Sequence, residues 1–167
     1  MPDLLPAMFV LLALAMPLRG DHNEGANEAT RNKALLAKFY EEVWNRDQFD
    51  FADEVFADDY VRHDPRGGNP PPGPRGQKLI AQSFRKGCPD CVMKVTRLVA
   101  EDDIVVGQWR ITGTSASGQK IDFVGVNIAR FRDGRIVEIW NHRDDLAYMQ
   151  QMGRVTIHPS PEPASKP

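Results

Sequence analysis

Cysteine is scarce in this chain: Cys88 and Cys91 are the only two. A four-cysteine zinc site is thereby excluded. The pair reads Cys88-Pro89-Asp90-Cys91, and a strand pattern (Val92-Met93-Lys94-Val95-Thr96) follows it. Thiol-disulfide enzymes instead place such a pair at a helix N-terminus, where the dipole lowers the thiol pKa. Two readings stay open: a local disulfide if the chain is exported, or two small apolar residues at a helix-strand junction. Excess charge is also lacking. The net charge is −2, the pI is near 6.1, and no Lys/Arg-rich run occurs. Nucleic-acid binding needs a basic patch, so no nucleic-acid partner is expected. Histidine numbers four. His63 and His142 have no third ligand fixed by spacing, so no metal site is expected.

Long apolar runs are missing too. Leu4 to Met16 is the longest, and it is too short to span a bilayer, so no stable membrane anchor is expected. It fits the apolar region of a signal peptide, with Ala13-Leu14-Ala15 as a cleavage site, although Asp3 stands where a basic residue belongs. Residues 1–20 are read as this leader. The chain is then exported to the periplasm or beyond if the leader functions, and cytoplasmic otherwise. Residues 21–29 read as a polar linker. Residues 154–167 read as a disordered tail, since Pro159 to Pro167 holds four prolines.

Between these ends lies one domain, residues 30–153. Hydrophobic residues at 41% and charged residues at 26% are globular proportions. Leu35, Leu36, Phe39, Tyr40, Val43 and Trp44 recur at helical spacing and predict a helix from Thr30 to about Arg46. A short helix follows near Phe51 to Val55, then a short strand at Tyr60 to His63. Residues 64–76 are crowded with Pro and Gly and must be a loop, of a length that suits a lid or rim. Gln77 to Lys86 is a third helix. Four strands then follow: Val92–Ala100, Asp103–Thr114, Lys120–Phe131 and Arg135–Asp144, the last two joined at Asp133-Gly134, a strong hairpin signal. Leu146 to Met152 closes the domain as a helix stopped by Gly153. Helices first and an antiparallel meander after is α+β.

Closing the hairpins predicts the register. Asp133-Gly134 pairs Phe131 with Ile136, Asn127 with Trp140 and Phe123 with Asp144; the turn at 115–118 pairs Trp109 with Val124. One face then carries Val105, Trp109, Ile111, Val124, Val126, Ile128, Val137 and Ile139 and is dry. The other carries Phe123, Gly125, Asn127, Trp140, His142 and Asp144. Binary patterning alone would bury the first and expose the second. A Phe, a Gly and a Trp at the centre of the second favour a pocket lining there.

In their order and spacing, Phe39-Tyr40-Glu41-Glu42-Val43-Trp44-Asn45, Phe56-Ala57-Asp58-Asp59-Tyr60-Val61-Arg62-His63-Asp64-Pro65, Phe131-Arg132-Asp133-Gly134-Arg135-Ile136-Val137-Glu138-Ile139-Trp140, Asp144 and Gln150-Gln151-Met152-Gly153 resemble the SnoaL-like polyketide cyclases, or ester cyclases, of the nuclear transport factor 2-like superfamily. The resemblance implies a cone-shaped α+β barrel: a curved antiparallel sheet of four long strands plus a short one, wrapped on three N-terminal helices around one apolar pocket. It implies an aldol ring closure needing no metal or organic cofactor, with one aspartate as general acid/base. Carried onto this chain, that aspartate is Asp144. A base of this kind works when burial raises its pKa toward neutrality, and the enolate it makes needs a hydrogen-bond donor.

His63 and Asn127 are the expected donors, and Trp140, Phe123, Tyr40 and Trp109 the expected substrate walls. Each has a plainer role available: Asp144 as a helix N-cap, His63 as a loop histidine, Trp140 as core, Asn127 as a satisfied buried amide. The expected activity is acid/base chemistry of the cyclase, isomerase or lyase type on a small hydrophobic carbonyl compound. The alternative is a non-catalytic exported protein that binds a hydrophobic small molecule. A homodimer or higher homo-oligomer through the dry sheet face is also expected.

Overall fold

A computed structural model describes residues 21–158 of the chain. The candidate leader at 1–20 and the tail beyond 158 lie outside the described residues. The first helix, α1, runs Asp21–Phe39 and continues as a π-turn, Tyr40–Asn45. The polar linker expected at 21–29 is therefore helical. It has no proline to break a helix. Residues 24–29 bury little, so they left no apolar period to detect. A 3₁₀ turn, Phe49–Phe51, leads into α2, Ala52–Val55. Then come β1 (Phe56–His63), α3 (Pro74–Gly87), β2 (Val92–Glu101), β3 (Ile104–Thr114), β4 (Lys120–Arg132), β5 (Arg135–Arg143) and α4 (Asp145–Gln151).

The five strands form one open sheet in the order β1-β5-β4-β3-β2. β2 to β5 pair antiparallel as expected, whereas β1 pairs parallel to β5. The helices cover one face of the sheet. Leu36, Phe39, Tyr40 and Val43 from the first helix and π-turn meet Val105, Ala129, Ile136 and Ile139 from the strands, all buried. Leu36, Phe39, Tyr40 and Val43 stand at i, i+3, i+4 and i+7 and form the buried stripe that the sequence predicts.

Two single-residue offsets correct the expected faces. The β3–β4 loop is five residues, Ser115 to Gln119, closed by Ser115 N–H to Gln119 O at 2.8 Å. Trp109 therefore pairs with Gly125, not Val124. Between β4 and β5 the register starts as expected, Phe131 with Ile136, then slips by one at Val137, so that Asn127 pairs with Asn141 and Ile128 with Trp140. This is a β-bulge, which places Ile136 and Val137 both in the buried set. Past the bulge Ile139, Asn141 and Arg143 face the helices, and Glu138, Trp140 and His142 face away. The inner face is thus drawn from both expected sets: Val105, Trp109 and Ile111 from one, Phe123, Gly125 and Asn127 from the other.

Gly125 explains how Trp109 fits. A Cβ at 125 would stand 2.3 Å from Trp109 Cζ2 and 2.8 Å from His142 O. The indole lies flat on the bare backbone of the neighbouring strand. Gly125→Ala should destabilise the domain by about 1–3 kcal/mol through overpacking and displace the indole. Urea denaturation measures the first and near-ultraviolet circular dichroism the second. An unchanged midpoint would refute this packing.

Candidate functional site

The inner face and α3 enclose a cavity of about 500 Å³, a volume common for small-molecule sites. Its body is apolar, walled by Trp44, Phe84, Met93, Trp109, Ile111 and Phe123. Tyr148 of α4 closes one side and packs on Phe123 with ring centroids 5.2 Å apart. The proline-rich loop supplies Pro70 and Pro71 to the lining, in keeping with the rim expected of it. Gly73 holds that loop down: its N–H donates to Tyr60 O at 2.8 Å, and its φ of 77° is a conformation that other residues adopt with strain. Cys88 also lines the cavity and is bonded to Cys91, so the disulfide reading of the pair is the one realised. With both sulfurs joined, the Cys88, Asp90, Cys91 cluster offers no thiolate to a metal.

The arginines and asparagines of the lining are gathered at one pole: Arg62 from β1, Arg66 from the loop, Asn127 from β4, and Asn141 and Arg143 from β5. Each strand residue here is an inward position of its alternation. A directed chain of hydrogen bonds joins three of them to Tyr40. Arg66 donates to Asn141 Oδ1 at 3.3 Å, Asn141 Nδ2 donates to Asn127 Oδ1 at 2.6 Å, and Asn127 Nδ2 donates to the Tyr40 hydroxyl at 2.9 Å. Each amide uses one of its two N–H groups in this chain. Burial pushes the Tyr40 hydroxyl well above its usual range, so it stays protonated. Burial likewise pushes Tyr60, whose hydroxyl faces Gln77 Oε1 at 3.4 Å, up to about 12.

Two carboxylates back the arginines without entering the lining. Asp64 accepts from Arg66 Nε at 2.7 Å and stands 3.4 Å from Arg62. Burial alone would raise its carboxyl. The hydrogen bonds from the Arg66 side chain and backbone, with the charges of Arg66 and Arg62, outweigh that and hold it below the ordinary carboxylate range. Asp145 accepts from Arg143 Nε at 2.5 Å and lies 3.7 Å from Arg66 Nε. Four buried side-chain nitrogens are unmatched among the described residues, those of Asn32, Trp44, His63 and Trp109, and of these residues Trp44 and Trp109 line the cavity.

The residues expected from sequence divide. Asn127, Phe123 and Trp109 line the cavity, and Tyr40 stands behind Asn127. Asp144, His63 and Trp140 do not reach it. The bulge at Val137 turns Trp140 outward, where it stacks on His63 with centroids 4.9 Å apart and planes 14° from parallel. His63 follows Arg62 on β1, so the strand alternation that sends Arg62 inward sends His63 out, to within 3.6 Å of Glu138. Asp144 is exposed and caps α4, accepting from Ala147 N–H at 2.9 Å. The expectation of a buried aspartate beside the indole is corrected on both counts. Arg62, Arg66, Asn141 and Arg143 were missed. For two of them a signal existed. Tyr60 and Ile139 are the apolar members of Tyr60-Val61-Arg62 and Ile139-Trp140-Asn141 that claim the core, and alternation then carries Arg62 and Asn141 inward.

The model of the SnoaL-like polyketide cyclase family matches residues 34–152. The chain belongs to this family. A candidate polyketide cyclase from Bacillus cereus ATCC 10987 is 29% identical, with 81% of this chain and 89% of that one aligned at a TM-score of 0.71. Another, from Acidithiobacillus ferrooxidans, is 28% identical over 75% of this chain and 96% of its own, at a TM-score of 0.64. An epoxide hydrolase of the LEH-like type from M. tuberculosis shares the fold at 19% identity, with 76% and 92% covered and a TM-score of 0.63. A search of curated proteins found no match. The architecture is that of the nuclear transport factor 2-like superfamily, with an open sheet.

The cap role of Asp144 has a measurable consequence. Asp144→Ala should lower stability by about 1 kcal/mol, while Asp144→Asn, also a good cap, should leave it nearly unchanged. Thermal denaturation of both variants checks this, and an equal loss in the two would contradict it. Asp64 adds a pH dependence. Its folded pKa is depressed, so the stability it contributes is present above about pH 4, the unfolded value, and is lost as the pH falls through the lower folded value. The gap in melting temperature between wild type and Asp64→Asn should therefore be constant near neutrality and close below about pH 4. A gap independent of pH would contradict the pairing.

Proposed function

We propose that this protein is an acid/base enzyme of the cyclase, isomerase or lyase type that acts on a small hydrophobic carbonyl compound and needs no metal or organic cofactor. The observation that carries the reading is the composition of the cavity: apolar walls with the arginines and asparagines of the lining gathered at one pole, each able to donate hydrogen bonds. Removing a proton next to a carbonyl leaves negative charge on the oxygen. Donors already aimed and held in a dry site stabilise that charge without reorganising. Asn127 and Asn141 are the donors in this reading. Tyr40 and Arg66 fix them from the two ends of the hydrogen-bonded chain, and Arg66 polarises it.

The proton acceptor has to be a carboxylate near this pole. Asp64, held below the ordinary range by Arg66, is a weak base. Asp145, half-buried in its pairing with Arg143, is the remaining one and is assigned the role here. Asp144, engaged in its helix cap, is not.

A second reading has an observation in its favour. No carboxylate stands in the lining itself, which suits a carrier of a hydrophobic small molecule. Solvent deuterium exchange separates the two. The protein should speed exchange at the carbon next to the carbonyl of 2-tetralone, followed by proton NMR. Asn127→Ala and Asp145→Asn should each lower that rate by about 10²-fold or more, in line with the loss of one catalytic donor or base. Asp144→Asn should retain the rate. Binding of the ketone with no exchange above buffer would leave the carrier reading standing and end the enzymatic one.

A further inference from the structure

The cation content of the pole exceeds what its own acids can balance. Three guanidiniums line the cavity, those of Arg62, Arg66 and Arg143. Two carboxylates pair with them, Asp64 and Asp145. One positive charge is left over, and its position is identifiable. Arg143 lies 2.5 Å from Asp145, and Arg66 grips Asp64 through two of its nitrogens. Arg62 is the deepest of the three, with a side chain only 6% exposed. Among the described residues its hydrogen-bonding contact to an acid is a single one, at 3.4 Å, to the Asp64 oxygen that Arg66 already holds. A guanidinium has five N–H groups in a rigid fork, and burying one without a matched anion is expensive. The fork opens on a cavity that contains no lining acid.

From this we infer that the occupant of the cavity is an anion: an apolar molecule with one carboxylate, docked on Arg62 and lying between Trp109, Phe123 and Tyr148. A carboxylate matches a guanidinium fork in two parallel bonds. A single negative charge neutralises the pole. The apolar remainder is covered by rings. The inference rests on the pocket reading above and narrows it to carbonyl compounds that also bear an acid group.

Isothermal titration of the full protein with 2-naphthoate, its methyl ester and 2-naphthaldehyde tests it. The three share an aromatic body and differ in charge. Naphthoate should bind about tenfold tighter than the ester or the aldehyde at neutral pH, a gap that about corresponds to one charge-assisted contact. The preference should shrink as salt is raised. Arg62→Gln should abolish it by weakening naphthoate alone, Arg62→Lys should keep part of it, and Arg66→Gln, at a more exposed site, should reduce it. If Arg62→Gln does not fold, the wild-type comparison and its salt dependence decide. Equal binding of acid and ester overturns the inference and leaves the pocket reading intact. A strong preference that survives Arg62→Gln overturns the docking on Arg62. Binding of none of the three overturns this inference together with the pocket reading.

Discussion

The bulge at Val137 decides what this protein can hold. A strand has a period of two, so one inserted residue exchanges its faces from that point on. Up to Ile136 the β5 register follows from the Asp133-Gly134 turn, and after Val137 it is offset by one. The consequence is chemical. Without the bulge, an indole, an imidazole and a carboxylate would line the cavity. With it, Asn141 and Arg143 do, and Trp140, His142 and Asp144 face solvent or cap a helix. The bulge is favoured by what it buries. It leaves Ile136, Val137 and Ile139 all out of water, which strict alternation could not do.

The polar pole follows from that inversion and from the position of β1. Because β1 runs parallel beside β5, Arg62 comes alongside Ile139 at the sheet edge, within reach of the loop that carries Asp64 and Arg66. Buried charges persist only when they are paired or hydrogen-bonded, and here the pairing is continuous from Asp145 through Arg66 and Asn141 to Tyr40. The first helical stripe sets the far end of this line, since it carries Tyr40 inward to Asn127 beside Phe39 in the core. Gly107, whose missing Cβ leaves room 3.1 Å from the Tyr40 hydroxyl, admits it to the sheet.

The order of elements was legible because it depends on features that sequence displays well: an apolar stripe from Leu35 to Trp44, proline and glycine between 65 and 76, and an Asp-Gly turn. The family was legible for the same reason. The site was legible only in part. Phe123, Asn127 and Trp109 were named, although the register that seated them was off by one at the Ser115–Gln119 loop. Asp144 and Trp140 were misplaced because a bulge leaves no composition signal strong enough to override simple alternation, and His63 because the alternation of β1, which sends Arg62 inward, was not applied to it. Arg66 had no period to betray it, since it stands in a loop whose placement is set by Gly73 and Asn69.

Fold and activity part company at this lining. The same architecture serves candidate cyclases and an epoxide hydrolase, so the fold does not by itself fix the chemistry. What distinguishes one such cavity from another is the set of groups at its polar pole. In this chain that set is cationic and donor-rich, and its acids lie one side chain behind. An acid held behind an arginine stabilises the arginine's charge and does not compete with a ligand for it. Such an arrangement holds a negative oxygen more firmly than a neutral one, whether the charge arrives with the ligand as a carboxylate or develops on it as an enolate. Differential stabilisation of that kind is common to tight binding and to catalysis, and the distance from Asp145 to the bound carbon is what separates one from the other.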